Sequence, residues 1–421
     1  MSPPTVRRMS TPTAAVGRLP NWLHILFLTL VATATDEFII AGLLPRIADD
    51  LDVGVPAAGQ LVTVFAVVYA LGAPTLAVLC ERFARRTVTA TGLALFVAAN
   101  IAAALAPGYW WLLAARVAAA LCAAVVTAAA FATAAAGAPP GAQGRYLGYV
   151  TAGMTTALFT GVPVGAWLGG AFGWRATFWL IAAVGAVAAL GVLATAPAVP
   201  GTAPVPLRRR LAPLRQAAVL RVVAVTFLAA SGGLMFYTYL GSYTAEVAAG
   251  SYGLLSLLLL LVGAAGLAGA LLAGRAADAW GPRRGLLLVL GGHALTLGAA
   301  AVAAFAGGTG PAVLALVVGC WAVFAWGLNP PVQGSVLAAA GPEAGMTALA
   351  LNISGLYLGT GVAGALGGAV IGAAGVRWIP VAAAALLLCA FSLALLPDRT
   401  GRQPTGLTGS ATAAEPSPTV R

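Results

Sequence analysis

Lysine is absent from this chain of 421 residues, so all 22 basic side chains are arginines. Charge of any kind is scarce. Only 8% of the residues are charged and 61% are hydrophobic, with a mean hydropathy of +0.96. A soluble domain carries roughly 25% charged residues, so the composition excludes a water-soluble globular protein and describes one embedded in a lipid bilayer. Histidine and cysteine are also rare. His24 and His293 have no partner at ligand spacing, and Cys80, Cys122, Cys320 and Cys389 lie far apart in apolar stretches. No metal site, disulfide framework or cofactor is therefore expected. The apolar–polar alternation of a membrane β-barrel strand, about 10 residues long, is missing, which leaves helices. No nucleophile–base pair is visible, which argues against a membrane-embedded enzyme. No segment is long enough for the soluble domain expected of a receptor.

What is present is a series of apolar stretches of about 20 residues, the length that crosses about 30 Å of hydrocarbon at 1.5 Å per residue. The predicted fold is an all-α membrane protein with twelve transmembrane helices. They span 22–44, 59–80, 87–106, 110–136, 146–170, 176–197, 219–242, 253–273, 285–306, 312–338, 345–372 and 377–396. Asn329-Pro330-Pro331 breaks the tenth, because proline removes helix hydrogen bonds. Residues 1–20 lack the apolar core of a signal peptide and are predicted to be a disordered cytoplasmic tail. Residues 21–197 form one six-helix bundle, 198–218 a Pro- and Arg-rich cytoplasmic linker, and 219–396 a second six-helix bundle. Residues 397–421 form a disordered cytoplasmic tail.

A net charge of +11 suggests nucleic acid or anionic lipid as a partner, but the distribution points elsewhere. With the N-terminus in the cytoplasm, 18 arginines fall on the cytoplasmic side of the spans, in the two tails and in the loops around 82–86, 145, 208–221 and 275–284. Arg46, Arg175 and Arg377 fall outside, and Arg116 lies inside a helix. This is the positive-inside pattern, and it predicts that both ends are cytoplasmic. Lipid binding by Arg208-Arg209-Arg210 is a second reading of those residues. No nucleic-acid partner is implied.

The chain also repeats itself. Glu81-Arg82-Phe83-Ala84-Arg85-Arg86 and Asp278-Ala279-Trp280-Gly281-Pro282-Arg283-Arg284 each lie between two apolar stretches, 197 residues apart. Gly161 and Gly169-Gly170 match Gly359 and Gly367-Gly368 at an offset of 198. Two independent pairs with nearly one offset indicate a duplicated half, and duplicated membrane halves with a site between them are a recurring transporter architecture.

Ionised groups inside a membrane are costly and mark function by default. Asp36, Glu37 and Arg116 are the three that fall well within the predicted spans. Asp36 lies about 21 Å along its helix and about 9 Å from the outer end, and Arg116 is about 9 Å deep on an antiparallel span. The acids and the base therefore share a depth. Adjacent acids point about 100° apart, so one faces a cavity while the other packs or pairs. Either a carboxyl poised between burial and an opposite charge binds and releases a proton, or a static ion pair orients the two helices. An offset of 198 carries these positions onto Leu234, Met235 and Leu314, which confines proton coupling to the first half.

The fifth span carries Gly153, Gly161, Pro163, Gly165, Gly169 and Gly170. Small residues at spacing four let helix backbones approach closely, for tight packing or for a hinge. The second half offers aromatic and amide side chains in place of charge. Tyr237, Trp326, Asn329, Gln333, Asn352 and Tyr357 suit a mostly apolar pocket with a few polar anchors, and each also suits membrane packing or an interfacial belt.

Across nearly its whole length the chain resembles the major facilitator superfamily, in its twelve-span drug:proton antiporter branch. Glu81, Arg82, Arg85 and Arg86 resemble the loop signature of that superfamily, with Ala77, Glu81 and Ala84 standing for Gly, Asp and Gly. Asp278, Gly281, Arg283 and Arg284, with Gly274, keep more of it. The resemblance implies that these loops gate the cytoplasmic side. It also implies that Arg116 takes part in proton transfer and that the Gly153–Gly170 stretch is the antiporter motif of exporters. Thr35-Asp36-Glu37-Phe38 with Gly42-Leu43-Leu44-Pro45 resembles the first-helix signature of the branch. The family acid then aligns with Glu37, and Asp36 is an addition. Tyr357 stands where many relatives carry asparagine. The expectation is a proton-coupled exporter of small, fairly hydrophobic compounds such as antibiotics, working as a monomer by alternating access in a bacterial cytoplasmic membrane. Export of a sugar or endogenous metabolite is the alternative. Its partners are substrate, protons and the bilayer.

Overall fold

The computed structural model describes residues 19–139, 142–201, 206–248, 252–306 and 310–396. Residues 1–18 of the predicted N-terminal tail, the predicted tail at 397–421 and linker positions 202–205 lie outside the described residues. The regular secondary structure of the described residues is all helical, with no strand among them. Eleven helices are long and apolar enough to cross a membrane, and a bent pair supplies a twelfth. They are Asn21–Phe38 with Ile40–Asp50 (span one), Val55–Cys80, Arg85–Ala104, Tyr109–Gly137, Arg145–Phe172 and Trp174–Thr195 in the first half. Ala217–Thr238 (span seven), Gly253–Trp280, Pro282–Ala306, Pro311–Gly341, Thr347–Ala374 and Val376–Leu395 make up the second.

Span one runs past its predicted end at residue 44. It bends by 47° at Ile39 and continues to Asp50. Pro45 has no N–H for the carbonyl of Ala41, and its ring crowds that turn. Span seven breaks near the matching place, at Tyr239, and resumes as Leu240–Ala248. The Asn329-Pro330-Pro331 break is present: regular helix stops at Gly327 and restarts at Asn329. The two prolines occupy the first turn of the new segment, where N–H groups have no helical partner to lose.

Packing repeats between the halves. Span one lies against span five, and span seven against span eleven. The glycines explain the closeness. A Cβ on Gly161 would stand 2.0 Å from Thr35 Oγ1, one on Gly165 2.8 Å from Ile39 Cδ1, and one on Gly169 2.4 Å from Leu43 Cδ2. Glycines four apart thus receive three span-one residues four apart. Gly355 and Gly359 receive Val223 and Phe227 of span seven in the same manner. The halves meet where spans two and eleven touch, Gly364 against Thr63, and where spans five and eight touch, Gly263 against Phe159. Gly161→Leu should therefore push span one off span five. The expected result is protein that aggregates or melts several degrees lower in detergent, read by fluorescence-detected size exclusion after heating. Gly148→Leu, with open space at its Cβ position, should leave the melting profile unchanged.

Candidate functional site

Asp36 and Glu37 sit one turn before the bend of span one, and the structure separates their surroundings. Asp36 faces span four. Arg116 Nη1 donates to its Oδ1 at 2.6 Å and Nη2 to its backbone carbonyl at 3.1 Å, with both side chains fully buried. The ring of Phe65 closes over the guanidinium, 4.2 Å from Cζ to ring centroid, a favourable cation–π distance. Glu37 faces the other half. Its Oε2 accepts from the Tyr357 hydroxyl of span eleven at 2.8 Å. Tyr357 in turn stacks on Tyr69 of span two, with centroids 4.0 Å apart.

Two cavities lie on either side of that stack. A small chamber of about 20 Å³ is lined by Glu37, Phe38, Val62, Phe65, Ala66, Tyr237 and Thr360, among others. That is room for about one water. A larger cavity of about 480 Å³ runs from Tyr69 and Tyr357 to Glu81 and Arg210 on the arginine-rich side. Its wall is mostly apolar, with Phe131, Ala124, Ala350 and Leu351, relieved by the hydroxyls of Thr127, Thr347 and Ser354. Both size and lining suit a small-molecule site. Toward the other side the halves are closed, with Gly241 packed against Ala41 and Pro45, and Gly42 against Leu259 and Ala166.

The predicted cavity residues divide. Tyr357 lines the large cavity and Tyr237 the chamber. Trp326 packs edge-on to Tyr237 at 5.5 Å, in a cluster with Trp321. Asn352 turns away and accepts from Thr226 Oγ1 at 2.8 Å. Asn329 and Gln333 are exposed and line neither cavity. Phe65, Tyr69, Thr127 and Phe131 were not anticipated. A signal for two of them existed: Phe65 and Tyr69 are aromatics four apart on one face of span two.

The fifth span holds a feature that its glycines hide. Ala157–Gly161 is a π-helical segment. Pro163 follows it directly and has no N–H to return to the carbonyl of Phe159, so the hydrogen-bond register slips there.

In the repeated loops, the left-handed turn occurs only in the second copy. Gly281 has φ of +85°, whereas its counterpart Ala84 is extended at φ −59°, ψ 132°. Arg86 donates to the carbonyl of Leu193 at the end of span six, and Arg283 to those of Leu395 and Leu396 at the end of span twelve, at 3.0 and 3.1 Å. Each arginine thus caps the last helix of its own half, where unsatisfied carbonyls and the helix dipole favour a cation. Glu81 pairs with Arg210 of the linker. Arg82 lies over the Phe83 ring at 4.8 Å, and Arg85 donates its backbone N–H to Val199. On the opposite side the three exceptional arginines are all engaged. Arg46 donates to the Gly169 carbonyl, Arg175 pairs with Asp50 at 2.5 Å, and Arg377 pairs with Glu246 at 3.1 Å.

Comparison with known proteins agrees with this architecture. The family model of the Major Facilitator Superfamily matches residues 26–346. An uncharacterized MFS-type transporter of Bacillus subtilis, YbcL, is 33% identical over 85% of this chain and 91% of its own. A chloramphenicol resistance protein of Streptomyces lividans is 35% identical over 91% of this chain and 97% of its own. Among solved structures, a bacterial homologue of the human lysosomal transporter Spinster, captured inward-facing and unoccupied, superposes with a TM-score of 0.70. It is 18% identical and covers 90% of this chain and 97% of its own. Duplicated six-helix halves, a cavity between them and matches of this extent carry one conclusion: the chain belongs to the major facilitator superfamily and is a multi-pass membrane transporter.

Proposed function

We propose that this transporter exports small, mostly apolar compounds across the cytoplasmic membrane in exchange for protons, as a monomer with both termini in the cytoplasm. In this reading the cavity that reaches Glu81 and Arg210 faces the cytoplasm, and the state described is inward-facing. The observation that carries the reading is Glu37. It lines the small chamber beyond the cavity and is hydrogen-bonded across the two halves by Tyr357 rather than paired with Arg116. Glu37 then takes the proton, and the Asp36–Arg116 pair holds span one against span four beside it. One charge moved across 100 mV supplies about 2.3 kcal/mol. The apolar lining of the cavity and the relative named as a chloramphenicol resistance protein favour drug-like cargo over a sugar or endogenous metabolite. The basic loops gate the cytoplasmic side in this scheme, and the span-five glycines carry the rocking of one half on the other.

The test is a susceptibility panel in an efflux-deficient host. Expression should raise the inhibitory concentration of chloramphenicol-like and other small neutral apolar antibiotics several-fold, and a protonophore should erase the gain. No protection across the panel, or protection indifferent to the protonophore, would overturn the assignment.

A further inference from the structure

The two cavities are stacked along the same pair of helices, and the order of their lining residues locates what divides them. Along span two, Val62, Phe65 and Ala66 line the small chamber, and Tyr69 and Ala70, one turn on, line the large cavity. Along span eleven, Thr360 lines the chamber, and Tyr357 and Ser354 line the large cavity. Tyr69 and Tyr357 therefore stand at the boundary on both walls. Their rings stack at 4.0 Å and are buried, with relative exposures of 6% and 4%. The stack joins the halves, since span two belongs to the first and span eleven to the second. The hydroxyl of the Tyr357 ring donates to Glu37 inside the chamber.

We propose that the Tyr69–Tyr357 stack is the inner gate of the Glu37 chamber, and that Tyr357 is a positioning residue through which the charge of Glu37 sets the gate. A hydrogen bond to an ionised carboxylate is stronger than one to a neutral acid. Ionised Glu37 holds the Tyr357 phenol, and with it the stack, shut. A protonated Glu37 holds it less, and the ring is free to leave Tyr69 as the halves move. The titratable and charged groups facing Glu37 are Asp36 on its own helix, Tyr69 on span two, Arg116 on span four, Tyr237 on span seven and Tyr357 itself. Arg116 is already taken by Asp36, and the remaining three are phenols, so Glu37 is the acid of this cluster whose bonded partner is a phenol. The gate rests on the proton-coupled reading above, but its test does not need transport.

The experiment labels Ala66→Cys, inside the chamber, with a membrane-impermeant maleimide. The four native cysteines are replaced by serine, and the full chain is in vesicles with the arginine-rich side outward. Ala128→Cys in the large cavity serves as the reference at each pH and in each variant. Relative to that reference, Ala66→Cys should label slowly at alkaline pH and several-fold faster at acidic pH. Tyr357→Phe keeps the ring and the stack volume but lacks the hydroxyl. It should label fast at both pH values, and Tyr69→Ala should do the same. A Tyr357→Phe protein that keeps the wild-type pH profile, or equal relative labelling in all three proteins, would overturn the gate. Should Tyr69→Ala fail to fold, Tyr357→Phe alone decides. Altered labelling without any antibiotic export would keep the gate and remove the exporter assignment; export with unaltered labelling would do the reverse.

Discussion

Glu37→Gln is expected to abolish antibiotic export against a gradient while leaving a folded protein in the membrane. The replacement is close to isosteric, and its amide oxygen still accepts from Tyr357 at the position now held by Oε2. What it loses is the capacity to exchange a proton. Without that, the roughly 2.3 kcal/mol per 100 mV of the membrane potential cannot be delivered to the cycle. Resistance should fall to the level of the empty host. Drug exchange down its own gradient, measured as counterflow in proteoliposomes, should persist. Asp36→Asn provides the contrast, since in the proposed scheme its pairing with Arg116 makes it a brace rather than a carrier. Active export by Glu37→Gln would remove Glu37 from the mechanism, and loss in Asp36→Asn alone would transfer the role to its neighbour.

Arg116→Ala should be the most destabilising single change in the first half. It leaves Asp36 fully buried with its counter-charge gone. Breaking a buried pair from one side costs about 3–5 kcal/mol, most of it the penalty of an uncompensated buried charge. It also strips Phe65 of the guanidinium it covers. Thermal melting in detergent should drop sharply, and export should vanish. Removing both charges with Asp36→Asn and Arg116→Gln should recover most of the melting temperature, because replacing a whole buried pair with neutral groups is often near neutral. Export should return with stability in the double variant, as expected of a pair that only braces the two helices. Recovered stability without recovered export would give the pair a part in coupling beyond bracing.

Much of this was legible in the primary structure, for physical reasons that can be named. Apolar length fixes a span because hydrocarbon has a fixed thickness, so eleven helices and the bent pair fall close to their expected positions. Asp36 and Arg116 could be matched by depth, since helices have a constant rise. Glu37 and Tyr357 could not, because they lie 320 residues apart and on different halves, and depth alone leaves the facing residue open. The amides were harder still. A helix that is apolar on every side gives no amphipathic face from which to read a direction. Asn352 thus looked like a pocket residue but bonds Thr226, and Asn329 and Gln333 face outward. The Ala84 turn was hidden for a different reason. Glycine permits φ of +85° at Gly281, and alanine simply settles into extended backbone at the matching site.

The ends of the two halves have a consequence for how the chain is made. Arg86 on the Leu193 carbonyl and Arg175 on Asp50 use partners that all emerge within the first six spans. The Asp36–Arg116 pair does so as well. At about 5–20 residues per second a ribosome needs on the order of 10–40 seconds to make the second half. During that time the first half already has every partner needed to tie off its helix ends and neutralise its buried arginine. Glu37 is different: the phenol that receives it arrives only with span eleven. The carboxyl to which we assign the proton is thus the one that newborn protein carries without its phenol partner until synthesis is nearly complete.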